Sequence, residues 1–163
     1  HTMEQICRAA KAKNVVAIGE CGIDKLKSPA TVKVQTEILA AHAALAEAVH
    51  KPLILHCVKG QEEIMSLHRK MAAKQAWIIH GFRGKPTQAE QLLREGFFLS
   101  FGALFNPDSL AITPADRLFI ESDTSNTPIE EIYRAAALCR GVSTEELAAT
   151  IANNIKLCNI AIF

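Results

Sequence analysis

One stretch that indicates the fold is Ala76-Trp77-Ile78-Ile79-His80, which continues into Gly81-Phe82-Arg83-Gly84. Its first part is apolar without alternation, as expected of a strand that is covered on both faces. Its length is typical of a buried strand rather than a helix. An imidazole then closes the run, and a loop containing two glycines and a cation follows. We therefore predict a parallel strand with a polar carboxyl end.

Four further apolar runs have the same character, and longer amphipathic segments separate them. The runs are Val15-Val16-Ala17-Ile18-Gly19, Pro52-Leu53-Ile54-Leu55-His56, Gly96-Phe97-Phe98-Leu99-Ser100 and Arg117-Leu118-Phe119-Ile120-Glu121. Helices are predicted at about residues 3–13, 30–50, 60–74, 86–95, 128–140 and 143–158. This alternation is typical of parallel strands joined by crossover helices. It predicts an α/β fold, a (β/α) TIM-like barrel formed by one domain over residues 1–163.

Local signals refine the element boundaries. Thr87 and Glu90 have the spacing of a capping box after Pro86, and Ser143 offers an N-cap for a helix with acids in its first turn. The segment Asn106-Pro107-Asp108 is interpreted as a turn.

Composition narrows the class of protein. The 163 residues are 49% hydrophobic and 21% charged, enough for one core but short of the roughly 250 residues of a usual eight-unit barrel. The net charge is +1 without a basic run, so no footprint for duplex nucleic acid is visible. Five cysteines contain no C-x-x-C pair, which argues against disulfides and a thiolate zinc site. No run has membrane-spanning length and the start is polar, so a cytoplasmic location is expected.

Residues able to bind a metal stand at or just after the ends of four of the five runs: Glu20, His56, His80 and Asp123. In parallel α/β barrels the carboxyl ends of the strands gather at one face, so these side chains are expected to converge. Two imidazoles and two carboxylates suit Zn, Mn or a similar divalent ion. Taken singly, such a histidine is more often a half-buried, hydrogen-bonded residue, and such an acid more often caps the next helix. Their joint occurrence favours the metal site.

The loops after these residues supply cations for an anionic substrate. Arg83 follows His80 in a loop with two glycines, and Lys59 follows His56 by three residues. A solvated surface charge is the alternative for each of them. We predict substrate-binding roles for Arg83 and Lys59.

These segments together resemble the motifs of the TatD-related deoxyribonuclease family, a branch of the metal-dependent amidohydrolase-type barrels. Gly19-Glu20-Cys21-Gly22-Ile23-Asp24 resembles its G-E-x-G-L-D segment, and Pro52-Leu53-Ile54-Leu55-His56 resembles its P-x-x-x-H strand. His80-Gly81-Phe82-Arg83-Gly84 is similar to H-C-F-S-G, and Glu121-Ser122-Asp123 is similar to E-T-D. The order and spacing of these motifs extend the resemblance over nearly the whole chain.

The resemblance implies a distorted TIM barrel with two divalent ions (Mg, Mn or Zn) at its carboxyl-terminal face. Glu20 would bridge the ions, His56 and His80 would hold one, and Asp123 would bind the other beside the attacking water. Glu20 and Asp123 are thus the expected catalytic residues. The implied activity is phosphoester cleavage in DNA, of the 3′ exonuclease type.

The chain departs from the family pattern in three places. No H-x-H pair, which the family carries on its first strand, occurs in the 163 residues. We therefore expect a barrel that lacks its first strand or strands and that self-associates through the open edge. Val58 stands where many members have an arginine, and Thr124 to Pro128 replaces the Ala-Pro that commonly follows E-T-D.

Two other functions remain open at this point. The first is a small-molecule amidohydrolase or lactonase that uses the same metals on a carbonyl group. The second is a barrel that has lost catalysis and serves as a scaffold, which the absent H-x-H pair favours. With one Trp and one Tyr in the chain, stacking of bases would depend on phenylalanines such as Phe82 or Phe105.

Overall fold

The computed structural model describes residues 2–161, which divide into two compact units. The first unit runs to Trp77 and also includes the chain from Cys158 onward, whereas the second covers Ile78–Leu157. Within residues 2–161, no helix is both long and apolar enough to cross a membrane.

Strands and helices alternate along the described chain. In order, the elements are α1 (Met3–Ala9), β1 (Ile18–Asp24), α2 (Val32–Val49), β2 (Leu53–Val58), α3 (Gln61–Met71), β3 (Trp77–Ile79), α4 (Pro86–Arg94), β4 (Phe98–Phe101), α5 (Pro107–Ile112), a 3₁₀ turn (Ala115–Arg117), β5 (Leu118–Ile120), α6 (Ile129–Arg140) and α7 (Thr144–Leu157).

In the first unit, β1 and β2 form a parallel pair that packs against α2. Gly22 lies opposite His56, and Asp24 lies opposite Val58. The strands approach so closely that a Cβ atom on Gly22 would lie 1.9 Å from the carbonyl oxygen of His56. A Cβ atom on Gly19 would likewise lie 2.5 Å from the carbonyl oxygen of Ile54. The two glycines of the G-E-C-G segment are therefore needed for the close pairing of these strands.

In the second unit, β3 pairs with β4 and β4 pairs with β5, all in parallel. Its fully buried side chains include Phe97, Leu99, Phe101 and Leu110. Asn154 of α7 is also buried, and its amide donates to the carbonyl oxygens of Ala115 and Leu118, which ties α7 to the start of β5. The predicted α/β organisation with parallel strands is confirmed within each unit.

The predicted position of β1 is wrong, and two predicted strand-end residues lie inside strands. The expected run, residues 15–19, overlaps β1 only at Ile18 and Gly19. The strand extends to Asp24 because it buries Cys21 and Ile23, which alternate with the less buried Gly22 and Asp24. Glu20 is therefore the third residue of β1, and His56 is the fourth of β2.

The interpretation of Asn106-Pro107-Asp108 as a turn is also wrong. Asn106 is the N-cap of α5, and its side chain accepts from the backbone N–H groups of Asp108 and Ser109. An N-cap Asn followed by Pro at the first helical position is a helix start signal, which the pattern contained.

The two capping predictions had different outcomes. The capping box of Thr87 and Glu90 is wrong, since α4 begins at Pro86 with Lys85 as N-cap and the Gln88 side chain accepts from the Lys85 backbone N–H. The Ser143 cap is confirmed by reciprocal bonds between Ser143 and Glu146.

Candidate metal centre

The first unit brings Glu20 and His56 together on neighbouring strands. A carboxylate oxygen of Glu20 and a ring nitrogen of His56 lie within 4.8 Å of each other. Glu20 is exposed, and the side chain of His56 is 42% exposed. An accessible carboxylate and imidazole at this separation form two ligands of a mixed N/O site, the kind that Zn and Mn accept.

The imidazole of His56 also contacts a carboxylate that sequence reasoning had not assigned. His56 Nε2 lies 3.3 Å from Asp24 Oδ2. The other oxygen, Asp24 Oδ1, accepts the backbone N–H groups of Leu26 and Lys27, each at 2.8 Å. These two backbone donors, with a smaller contribution from His56, hold the pKa of Asp24 below its usual value.

The thiols beside these residues are protonated at neutral pH in the metal-free protein. Burial raises the pKa of Cys21, the neighbour of Glu20, to about 12. Burial also raises the pKa of Cys57, the neighbour of His56. No disulfide links the five cysteines, all of which lie within the described residues. Glu20 and His56 offer oxygen and nitrogen ligands to a metal.

In the second unit, a three-residue cluster forms where β3 and β5 end. Ligand atoms of His80, Glu121 and Asp123 all lie within 4.8 Å of one another. His80 directly follows β3, and Glu121 directly follows β5. Their side chains are 12% and 18% exposed, respectively, whereas Asp123 is exposed. The structure thus adds Glu121 to the predicted pair of His80 and Asp123.

Glu121 is held by polar neighbours on both oxygens. The buried hydroxyl of Ser100, in β4, donates to Glu121 Oε2, while Glu121 Oε1 lies 3.5 Å from His80 Nδ1. Burial alone would raise the pKa of Glu121, but the contacts from His80 and Ser100 outweigh it and lower the pKa. The carboxylate is therefore ionised at neutral pH.

One atom of Glu121 fits a cation in particular. Oε1 is buried and accepts no hydrogen bond of good geometry from the described residues. An ionised oxygen buried without a full set of partners is costly, and a bound cation would remove that cost. The donor set of His80, Glu121 and Asp123 therefore fits a divalent ion, and Asp123 leaves it open to solvent.

A cavity of about 240 Å³ opens at this cluster. Glu121, Asp123 and Arg83 line it, together with the exposed Leu104. Asp123 has a φ of 45°, in the left-handed region that non-glycine residues seldom adopt and that is enriched at functional sites. Of the two predicted substrate-binding cations, Arg83 thus lies beside a candidate metal cluster of its own unit.

The remaining loop cations lie in the first unit. Lys59 is exposed in the turn between β2 and α3 with a left-handed φ of 54°. Lys25, which follows Asp24, is paired with Glu63 of α3 at 2.6 Å between Nζ and Oε1. The ammonium of Lys25 is thus already compensated, and the role predicted for Lys59 stays a prediction.

Comparison with protein families decides the relationship. The model of the TatD related DNase family matches residues 1–158. The chain belongs to this family. The TatD-like resemblance inferred from the four short motifs is confirmed.

Characterised and uncharacterised relatives agree with this family assignment. The chain is 29% identical, over 95% of its length, to the 3′-5′ ssDNA/RNA exonuclease TatD of Erwinia tasmaniensis, and covers 70% of that protein. It is 26% identical, over 94% of its length, to the uncharacterized metal-dependent hydrolase YcfH of Escherichia coli K12, of which it covers 66%. The TatD family chain is therefore related to metal-dependent hydrolases and spans about two thirds of the length of these relatives.

Solved structures show the fold. The TatD homologue YjjV of Escherichia coli K12 superposes with a TM-score of 0.86 at 23% identity, over 98% of this chain and 71% of that one. A TatD family hydrolase from Entamoeba histolytica gives a TM-score of 0.75 at 18% identity, over 89% of this chain and 63% of that one. The predicted α/β fold of the TIM-barrel type is thereby confirmed.

Sequence reasoning had missed two carboxylates of the TatD family chain. Glu121 was interpreted as the end of a strand, although an acid directly after a buried apolar run, within the segment resembling E-T-D, is the same signal that identified the other candidates. Asp24 stood in the segment resembling G-E-x-G-L-D, yet its contact with His56 depends on the register of β1 and β2. No local pattern specifies that register.

Proposed function

We propose that this TatD family chain belongs to a divalent-metal-dependent hydrolase that cleaves phosphoester bonds of single-stranded nucleic acid from the 3′ end. One observation carries the proposal: His80, Glu121 and Asp123 form a cluster, and Glu121 and Asp123 line a cavity that Arg83 also lines. A metal-binding set beside a fixed cation suits a phosphoester better than a neutral substrate. The exonuclease names of several relatives support the same substrate class.

The proposed ligands are Glu20 and His56 in the first unit and His80, Glu121 and Asp123 in the second. Two ions of Mg, Mn or Zn are proposed. When bound, they supply Lewis acidity, which acidifies water and neutralises charge that builds on the phosphoryl oxygens. The oxygen and nitrogen donors described above fit this chemistry.

The chain's own residues position and activate the reactants. Asp123 is exposed at the cavity and accepts a proton from the attacking water. Arg83 binds the phosphate with its fork of N–H donors. Glu121 lies beside Nδ1 of His80 and so helps to orient that ring. Together these groups place water and phosphate next to each other.

The test compares wild-type protein with Asp123→Asn. A single-stranded oligonucleotide labelled at its 5′ end is incubated with protein and Mn or Mg, and its shortening from the 3′ end is followed. Removing a general base lowers the rate by about 100-fold or more, with a nearly unchanged KM. Asp108→Asn, an exposed acid in the first turn of α5, is the matched control and retains the wild-type rate.

The H-x-H pair of the family does not occur in these residues, so the assay is run on two forms. One is the chain itself, and the other carries an added N-terminal strand with H-x-H. Metal content is measured on both by elemental analysis. Absence of bound metal and of cleavage in both forms would contradict the proposal. Hydrolysis of small esters or lactones without oligonucleotide cleavage would favour the amidohydrolase function instead.

A further inference from the structure

Ser100 is a polar residue in a strand that is otherwise apolar. β4 consists of Phe98, Leu99, Ser100 and Phe101, and all four are buried. A buried hydroxyl has to be hydrogen-bonded to avoid a desolvation cost, and this one donates to the side chain of Glu121 rather than to a backbone carbonyl. An apolar residue would fill the same place without that requirement. The hydroxyl therefore calls for an explanation beyond packing.

The sheet places Ser100 beside the carboxylate. Ser100 lies opposite Phe119 of β5, and Glu121 is two residues beyond Phe119, so the side chains of Ser100 and Glu121 share a face. The backbone N–H of Glu121 donates to the carbonyl oxygen of Phe101 at 3.0 Å. The carbonyl oxygen of Ser100 accepts the backbone N–H of Phe82, in the loop after β3, at 2.9 Å. Backbone bonds on both sides thus fix the position from which the hydroxyl donates.

The second oxygen of Glu121 lies where a cation can reach it. Oε1 is 3.5 Å from Nδ1 of His80 and, although buried, accepts no hydrogen bond of good geometry from the described residues. A Cβ atom on Gly81 would lie 3.6 Å from Oε1, and one on Gly102 would lie 3.9 Å from it. Both glycines line the cavity of about 240 Å³. Neither position therefore places a side chain between Oε1 and the cavity.

We infer that Ser100 is a positioning residue for Glu121: its hydroxyl holds Oε2, so that Oε1 faces His80 and Asp123 and is the oxygen that binds a divalent cation. The last torsion of a glutamate side chain has a broad minimum, so the carboxylate alone is poorly oriented. A donor fixed on a neighbouring strand removes that freedom, and hydrogen bonds of this kind to a ligating carboxylate strengthen metal binding. The inference rests on the proposed function, since it concerns the cation site of the second unit.

The variant Ser100→Ala removes the hydroxyl and keeps the backbone bonds of this residue. The affinity for Zn or Mn is measured by calorimetric titration, and the second-unit site is identified as the binding step that Asp123→Asn weakens. We expect Ser100→Ala to lower the affinity of this step by about 10- to 100-fold. Ser100→Thr keeps a hydroxyl and is expected to bind more tightly than Ser100→Ala.

Thr113→Val is the matched control for the loss of a buried hydroxyl. Thr113 is 1% exposed, belongs to the same unit, and donates from Oγ1 to the carbonyl oxygen of Ser109 at 2.7 Å. Both Thr113→Val and Ser100→Ala are expected to lower the stability of the metal-free protein. Only Ser100→Ala should lower the metal affinity, because the Thr113 hydroxyl donates to the backbone and not to a proposed ligand. An equal loss of affinity in Thr113→Val would attribute the effect to the destabilised unit and overturn the inference.

A crystal structure of the zinc-loaded wild type is the direct test. We expect Glu121 to bind zinc through Oε1 while Oε2 still accepts from Ser100. Zinc bound through Oε2, or a hydroxyl turned away from Glu121, overturns the inference even if Ser100→Ala fails to fold. Equal metal affinities of wild type and Ser100→Ala overturn it too, and leave the proposed function standing. If the wild type binds no metal in the second unit, the proposed function fails together with the inference.

Discussion

In the first unit a carboxylate faces Nε2 of a histidine, whereas in the second unit a carboxylate faces Nδ1. Asp24 Oδ2 lies 3.3 Å from Nε2 of His56, and Glu121 Oε1 lies 3.5 Å from Nδ1 of His80. The carboxylate contact is therefore with Nε2 in one unit and with Nδ1 in the other. Each unit places a carboxylate beside an imidazole, but at a different ring nitrogen.

The supports of these two carboxylates differ in kind. Asp24 is held by backbone N–H groups of its own turn and by the Gln35 side chain. Glu121 is held by the hydroxyl of Ser100, which is only 5% exposed, and by burial in its unit. If an amide replaces the carboxylate of Asp24, one oxygen remains to accept from the backbone N–H groups. Glu121 has a buried and unsatisfied carboxylate oxygen, so an amide is not an equivalent replacement there.

The largest expected effect on metal affinity comes from neutralising Glu121. We expect Glu121→Gln to lower the metal affinity of the second-unit cluster by about 100-fold, since the amide lacks the charge and one acceptor of the carboxylate. Calorimetric titration with Zn or Mn measures it. The control, Glu131→Gln, changes an exposed acid in the first turn of α6 and should leave the affinity unchanged.

An unchanged affinity in Glu121→Gln would break the comparison. The carboxylate would then serve only as the acceptor for Ser100, and His80 and Asp123 would bind without it. An increase in the free energy of unfolding of metal-free Glu121→Gln would instead support a cation site, because it would show that the buried charge has a cost that a bound cation could offset.

A smaller effect is expected from loosening Asp24 rather than replacing it. Gln35→Met keeps the volume at this buried position but leaves the Asp24 N–H and the Ala30 carbonyl without their side-chain partner. We expect the free energy of unfolding to fall by about 2 kcal/mol, measured by urea denaturation. Arg134→Met, at an exposed position of α6, should change it by less than about 0.5 kcal/mol.

The metal titration of Gln35→Met sharpens the comparison further. If the hydrogen bonds between Gln35 and the Asp24 backbone matter for His56, the metal affinity falls along with the stability. If the stability falls and the affinity does not, the contact with His56 forms without Gln35, and Asp24 is held by its turn alone.

The parallel strands were predictable where they bury both faces. The run at residues 76–80 contains β3, and the run at residues 52–56 overlaps most of β2, because continuous apolar residues mark such strands. The same rule fails for β1 because its buried residues are not continuous: Gly19 and the polar Glu20 lie between Ile18 and Cys21, and Gly22 lies between Cys21 and Ile23. The run criterion therefore placed the strand too early.

The candidate site was predictable as a set of residue types but not as a set of contacts. Each of the four ligands predicted from the sequence lies close to another predicted ligand of its own unit. The support of each imidazole depends on which residues of neighbouring strands lie side by side. Asp24 reaches His56 through the register of β1 and β2, and Ser100 reaches Glu121 from β4. Register follows from packing across the sheet, which one sequence does not specify.

The smallest expected effect concerns the loop that follows Asp24. Lys25 pairs with Glu63 of α3, and the hydrogen bond from Lys25 is the main reason why the pKa of Glu63 lies below its usual value. A depressed carboxyl pKa contributes stability above the unfolded-state pKa of about 4.3, and this contribution disappears as the pH falls through the folded-state pKa. We expect Glu63→Gln to lower the free energy of unfolding by about 0.5 kcal/mol at neutral pH.

Urea denaturation near pH 7 and near the acid limit of the folded state should show the difference from wild type shrinking toward zero in acid. A difference that persists there would mean that Glu63 stabilises the first unit by packing rather than by its ion pair with Lys25.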